Sequence, residues 1–196
     1  MRPDLEYISQ WIKPGSHVLD LGCGDGSLLD QLRQHKAVTG YGLEIDTQNI
    51  LECVRKGVDV VHRDLNDGLD DIDDQSFDTV IMTQSLQQTR KPDAIVEAML
   101  RIGREAVVTF PNFGHWTVRS YLSIHGRMPV SENLPYTWYE TPNIHFFTFR
   151  DFEVLCRERG IKILTRTVVD RNHKSNWRIQ MMPNFLGEIA LYHMTR

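Results

Sequence analysis

Short apolar runs alternate with amphipathic stretches along most of the chain. The runs His17–Leu21, Val38–Leu43, Val58–His62, Phe77–Met82 and Ala106–Phe110 are rich in β-branched residues and too short for helices, so each predicts a strand. Between them lie segments with helical spacing and helical punctuation. Ser27–Lys36 reads as a helix. Thr47 is placed to cap a second, running to Gly57, and Pro92 suits the first position of a third, ending near Gly103. Ahead of the first strand, Asp4–Trp11 predicts a short helix with Leu5, Ile8 and Trp11 or Ile12 on one face, closed by the Pro14-Gly15 turn.

The alternation lapses after Pro111, across residues 112–147. It resumes at Thr148, which forms a capping box with Asp151 and predicts a helix to near Gly160. Ile161–Val169 and Leu186–Met194 then read as two more strands, joined by the polar stretch Arg171–Asn184. Strands separated by helices of this size imply βαβ units with right-handed crossovers, hence an α/β fold with a doubly wound, mostly parallel sheet. No internal repeat interrupts it.

The 196 residues suffice for one domain with a substantial core; 41% are hydrophobic and 24% charged, an ordinary globular balance. A net charge of -4 with scattered Lys and Arg argues against a nucleic-acid partner. Cys23, Cys53 and Cys156 form no C-x-x-C pair, which points to free thiols in a reducing compartment. Met1–Trp11 lacks the apolar centre of a signal peptide, and no apolar run approaches the ~18 residues of a membrane span. A cytoplasmic protein with no membrane partner is expected.

The strongest local motif is Val18-Leu19-Asp20-Leu21-Gly22-Cys23-Gly24-Asp25-Gly26, a strand entering a glycine-rich turn before a helix. Glycines permit left-handed backbone and close approach of a ligand to the main chain. The spacing G-x-G-x-G, preceded by Asp20, departs from the G-x-G-x-x-G dinucleotide fingerprint; a carboxylate there suits an ammonium group better than a diphosphate, which disfavours a nicotinamide dehydrogenase. Glu44 ends the second strand at the offset where an acid accepts hydrogen bonds from ribose hydroxyls. Asp64 follows the third strand.

This glycine loop resembles the first motif of the class I S-adenosylmethionine-dependent methyltransferases. The resemblance implies a Rossmann-like sheet of seven strands, the last antiparallel. It implies a ligand, S-adenosylmethionine or S-adenosylhomocysteine, on Asp20, Gly22, Cys23, Gly24 and Gly26. Glu44 would face the ribose, Asp64 the adenine amino group and Leu65 the ring, with Ile45 and Thr83 also among the ligand-binding residues. Gln75–Ile81 resembles the family's fourth strand, from which Thr83, Gln84 and Ser85 would emerge toward the methyl-donor position; a helix cap is an equal reading of those three.

Residues 112–147 are rich in aromatics, among them Phe113, Trp116, Tyr121, Tyr136, Trp138 and Tyr139, and Pro129, Pro135 and Pro142 exclude one long helix. Such a segment is either a binding surface or a small subdomain burying its own rings. Four strings, Ser85–Gln88, Phe110–Trp116, Gly126–Ser131 and Leu134–His145, are similar to those of the methionine biosynthesis protein family MetW, and the similarity runs over essentially the whole chain. It implies one methyltransferase-like domain over 1–196 carrying an insert at about 112–147, and a role as partner or activator of a homoserine O-acyltransferase. The family supplies no catalytic residue to carry over.

Two functions remain open on these grounds. One is a regulatory partner that senses S-adenosylmethionine. The other is an active methyltransferase, for which His115, Tyr136 or His145 would be the general base. His115 and His145 lack metal-ligand spacing, so no metal is expected. The acids between Asp64 and Asp74 lack the EF-hand order and read as a solvated loop. The G-x-S-x-G string of a hydrolase is absent.

Overall fold

The computed structural model describes residues 4–131, 134–170 and 174–196, with the backbone alone at residues 4 and 5, so the predicted Leu5 contact and the start of the 171–184 stretch lie outside the described residues. In chain order the elements are α1 Asp4–Trp11, β1 His17–Leu21, α2 Ser27–Lys36, β2 Thr39–Glu44, α3 Thr47–Arg55, β3 Val60–His62, β4 Phe77–Thr83, α4 Pro92–Ile102, β5 Gly103–Pro111, α5 Trp116–His125, α6 Phe149–Glu158, β6 Lys162–Val169, α7 Trp177–Met181, α8 Pro183–Leu186 and β7 Ile189–Thr195. The strands form one seven-stranded sheet in the order β3-β2-β1-β4-β5-β7-β6. Pairing is parallel from β3 to β5, and β7 runs antiparallel to both β5 and β6, as expected.

Side-chain alternation along the central strands divides the core in two. Leu19, Leu21, Val80, Met82, Val108 and Phe110 face α4 and α6. Val18, Ile81, Val107 and Leu191 face α1 and α2, where Ile8, Ile12, Leu28 and Leu32 cover them. Both faces of these strands are buried, so their sequences read as continuous apolar runs rather than alternating ones. Phe110 anchors the first layer: it is fully buried, with Phe147, Phe152 and Tyr192 ring centroids 4.7, 4.8 and 5.7 Å away.

Several boundaries differ from the sequence expectation for physical reasons. Asp46, not Thr47, caps α3: its carboxylate accepts hydrogen bonds from Gln48 and Asn49 N–H at 2.8 and 3.0 Å, and Thr47 becomes the first helical residue. The expected Leu186–Met194 strand begins only at Ile189, because Pro183 starts the short helix α8 and Leu186 ends it. Within the segment read as irregular, Trp116–His125 forms a regular helix that Gly126 terminates. The Thr148–Asp151 capping box is present as expected.

Replacing Phe110 with Ala should lower unfolding free energy by about 3–5 kcal/mol, the range for deleting a fully buried aromatic. Urea denaturation followed by circular dichroism checks this. The same change at the half-exposed Phe146 should cost much less.

Candidate functional site

The strand order reverses between β1 and β4: β2 and β3 extend to one side, β4 and β5 to the other. A crevice opens at such a reversal, beyond the carboxyl ends of the strands. The loop Gly22–Gly26 leaves β1 at this point, with left-handed φ of 71°, 56° and 72° at Gly22, Gly24 and Gly26. A Cβ on Gly24 would meet nothing within 4 Å, so this residue presents bare main chain to open space. Gly42 of β2 does the opposite job: a Cβ there would overlap Cys23, so its absence lets the loop lie against the sheet.

Glu44, at the end of β2, fixes the loop. Its Oε2 accepts the Gly24 N–H at 2.7 Å, and its Oε1 accepts the Ile45 and Asp46 N–H groups, each at 2.9 Å. The side chain is buried, which excludes the reading of a solvated loop acid. A carboxylate oxygen has two lone-pair sites, so Oε2 keeps one acceptor position beyond its bond to Gly24.

A cleft of about 730 Å3 opens over this arrangement, lined by Gly22, Cys23, Gly24, Glu44, Ile45, Asp64, Leu65 and Thr83 among others. Ile45 is 56% exposed, unusual for a large apolar side chain, and lines this cleft with the half-buried Leu65. Asp64 stands next to Leu65 and spends Oδ1 on the N–H and the side-chain amide of Asn66, each at 2.9 Å. After β4, Gln84 takes a left-handed φ of 53°, a costly conformation for a residue with a Cβ, and its N–H is held by Thr109. A second hollow of about 430 Å3, lined by Asp20, Gln31 and others, shares Cys23, Asp25 and Thr83 with the first.

Carboxylates dominate both hollows: Asp20, Asp25, Glu44, Asp46 and Asp64. The nearby cations are already paired, Arg63 on the wall of the larger cleft and Lys56 on one of these carboxylates. Arg63 makes a bidentate pair with Asp71 at 2.7 and 2.6 Å, and Lys56 binds Asp25. Burial raises the Asp25 carboxyl, but hydrogen bonds from Lys56 and Ser27 outweigh it and hold it below the ordinary range. Burial pushes the thiols of Cys23 and Cys53 up, and the Cys53 Sγ donates to the Gly24 carbonyl at 3.2 Å. These are packed, protonated thiols rather than nucleophiles.

The sequence-predicted residues therefore mostly converge. Gly22, Cys23, Gly24, Glu44, Ile45, Asp64, Leu65 and Thr83 line the larger cleft, and Asp20 lines the adjoining one. Gly26 does not: it opens α2, and a Cβ there would face Cys53 and Val58. Of the three histidine and tyrosine candidates for a base, Tyr136 lines the cleft. His115 is buried elsewhere, with Nδ1 2.7 Å from the Thr117 hydroxyl, and His145 lies beside the Arg90 carbonyl. Sequence reasoning missed Asp46, Asn49, Gln88 and Thr89 as lining residues. The first two follow Glu44 into the start of α3, a signal that the offset argument skipped. No group of three or more His, Cys, Asp or Glu side chains suited to a metal ion occurs among the described residues.

A family model described as methionine biosynthesis protein MetW matches residues 2–194. The chain belongs to the MetW family. It is a methionine biosynthesis protein with a methyltransferase-like fold. It is 36% identical over 169 residues to the bifunctional methionine biosynthesis protein MetXA/MetW of Rhodopirellula baltica, a match covering 82% of this chain but 27% of that relative, so the chain spans about a quarter of its length. Among solved structures, an S-adenosylmethionine-dependent methyltransferase from Mesorhizobium loti superposes with a TM-score of 0.72 at 15% identity, over 99% of this chain and 96% of that one. The [4+2]-cyclase SpnF gives 0.68 at 17% identity, over 99% and 80%. At these identities the structural likeness establishes the fold and nothing about chemistry.

Burial holds the His115 imidazole below its ordinary value of 6.5, against the opposing Glu188 carboxylate. The unfolded chain then binds this proton more readily than the folded one. Stability contributed by neutral His115 is present above about pH 6.5 and is lost as pH falls below it, by up to about 1.4 kcal/mol per pH unit. Urea titrations between pH 7 and 5 should show a steeper loss in the native protein than in His115→Gln.

Proposed function

We propose that this MetW-family chain binds S-adenosylmethionine or S-adenosylhomocysteine across the two adjoining hollows and acts in the cytoplasm as the partner of a homoserine O-acyltransferase, with residues 1–196 working as one methyltransferase-like unit. The observation that carries the ligand reading is the Glu44 carboxylate. It grips the bare main chain of Gly24 and retains an acceptor position for a ribose hydroxyl. Ile45 and Leu65 would receive the adenine ring, with Asp64 accepting from its amino group. Gly22, Cys23 and Gly24 would border the sugar, with Gly26 setting the turn. Asp20 would receive the amino-acid ammonium in the second hollow, and Thr83 would sit where the two hollows join. A carboxylate-rich lining whose neighbouring cations are already paired suits a sulfonium and repels a polyphosphate. Net negative charge also supports the absence of a nucleic-acid partner. No described helix is long and apolar enough to cross a membrane.

The partner reading rests on the family and on the bifunctional relative, in which MetXA and MetW share one chain. We read the MetXA portion as the acyltransferase. A second reading, methyl transfer to an acceptor, is favoured by one feature: the Tyr136 phenol lines the cleft, where it is placed to act as a base.

Calorimetric titration of S-adenosylmethionine and S-adenosylhomocysteine into the native protein and Asp64→Ala tests the ligand. Asp64 is the better probe because Glu44 also holds the loop. Micromolar binding that weakens about 10-fold in the variant is expected, the ~1.4 kcal/mol of a lost charged hydrogen bond. No binding to the native protein at millimolar ligand overturns the reading. Appearance of S-adenosylhomocysteine from the labelled donor, abolished in Tyr136→Phe, would select methyl transfer over sensing.

A further inference from the structure

The most unusual surface of the molecule lies outside the cleft. Helix α5 and the α7–α8 pair are held side by side: the Asn112 side-chain amide, just ahead of α5, donates to the carbonyls of Asn184 and Gly187 at 3.1 and 2.8 Å. Between them lies a hollow of about 440 Å3 lined by Arg119 of α5, Met181, Met182 and Phe185 of α7–α8, and Arg150 and Arg166. No side chain of α5 is buried. A helix in a folded protein normally hides an apolar stripe, yet Ile124 of α5 is 77% exposed, Met181 72% and Trp177 67%. Scattered apolar residues need no explanation, but a whole helix with no buried face, beside a second exposed apolar helix, does.

The charge of this face is one-sided. Arg119, Arg150 and Arg166 line the hollow, Arg178 lies on α7, and the one carboxylate lining the hollow, Glu153, is taken by Arg166 and the Tyr192 hydroxyl at 2.7 and 2.9 Å. The chain as a whole carries a net charge of -4, so this basic, apolar face runs against the rest of the surface. Aromatic, Met and Arg side chains together are the composition of an interface centre.

We propose that the α5/α7–α8 face is the surface that docks the homoserine O-acyltransferase, through an acidic patch with apolar anchors on that enzyme. The inference rests on the partner reading above, and it adds where the contact is and what chemistry it requires. Fusion of MetXA to MetW in one relative argues for this occupant, and the arginines lining the hollow specify its charge. The chain leads from this face to the cleft: the segment that follows α5 contributes Tyr136 and Pro142 to the cleft wall, and the N–H groups of Ile144 and His145 donate to the Gln87 carbonyl at 2.9 and 3.0 Å.

The test measures association of the purified chain with the purified MetXA-type acyltransferase of the same genome, by calorimetry and by sedimentation. Three forms are compared: native, Ile124→Asp/Met181→Asp on the face, and Val54→Asp on the exposed side of α3 as a control. All replaced side chains are largely exposed, and thermal melts confirm that each form folds. The expected result is association that weakens at least 10-fold in the face variant, is unchanged in the control, and falls with added salt in the native protein. Equal association of all three forms overturns the docking surface while leaving the partner reading intact. No association of the native chain overturns both. Native dimers, dissolved by the face variant in the absence of acyltransferase, would assign the face to a second copy of this chain and also overturn the proposal.

Discussion

A single carboxylate with three main-chain donors organises the functional edge of this protein. Hydrogen bonds to a charged acceptor contribute roughly 1.5–3 kcal/mol each, and those to Glu44 join three separately folded pieces. One is the turn after β1, one the end of β2, and one the entry to α3, whose own cap, Asp46, is positioned by the other oxygen of the same carboxylate. The left-handed glycines supply a turn that can bend this way, and Gly42 leaves room for it to pack against the sheet. Without the carboxylate, the Gly24 N–H would have to find water or a ligand. The cleft is therefore partly assembled before anything enters it, which lowers the ordering cost that binding must meet.

The parts of the fold that the sequence disclosed are those governed by local, periodic rules. Five apolar runs separated by helix-length segments define the parallel half of the sheet, and the capping box at Thr148 marks α6 to the residue. Glu44 could be placed in the cleft because it ends β2, beside β1 and the reversal in strand order, and Asp64 because it follows β3 at the same carboxyl edge of the sheet. Three things were hidden. Helix α5 buries none of its side chains, so its sequence lacks the apolar stripe that periodicity detects. The exchange of Thr47 for Asp46 as cap depends on which of two good candidates adopts extended backbone. Tyr136 reaches the cleft only because the Gln87 carbonyl captures residues far along the chain, a long-range contact with no local signature.

Fold and chemistry separate clearly in this architecture. The same architecture superposes on an S-adenosylmethionine-dependent methyltransferase and on a [4+2]-cyclase, while the chain itself belongs to a methionine biosynthesis family. The glycine loop, the acids at the strand ends and the arginine-framed apolar face are built from different segments. The two surfaces are thus free to change independently, except where the segment carrying Tyr136 and Pro142 touches the cleft.

The position of β7 has a consequence for how the molecule comes together. It is the last element in sequence, yet it lies inside the sheet, between β5 and β6. Strand β6 pairs with β7 alone, so it has no place to zip until the final strand has threaded in beside β5. The far third of the sheet therefore needs the whole stretch from β5 to β7, whereas the glycine loop and its Glu44 clasp are closed by residues 22 to 46. The cleft edge is thus closed by a short span of chain and the other edge by a long one, and loss of a few residues at β7 would unravel two strands rather than one.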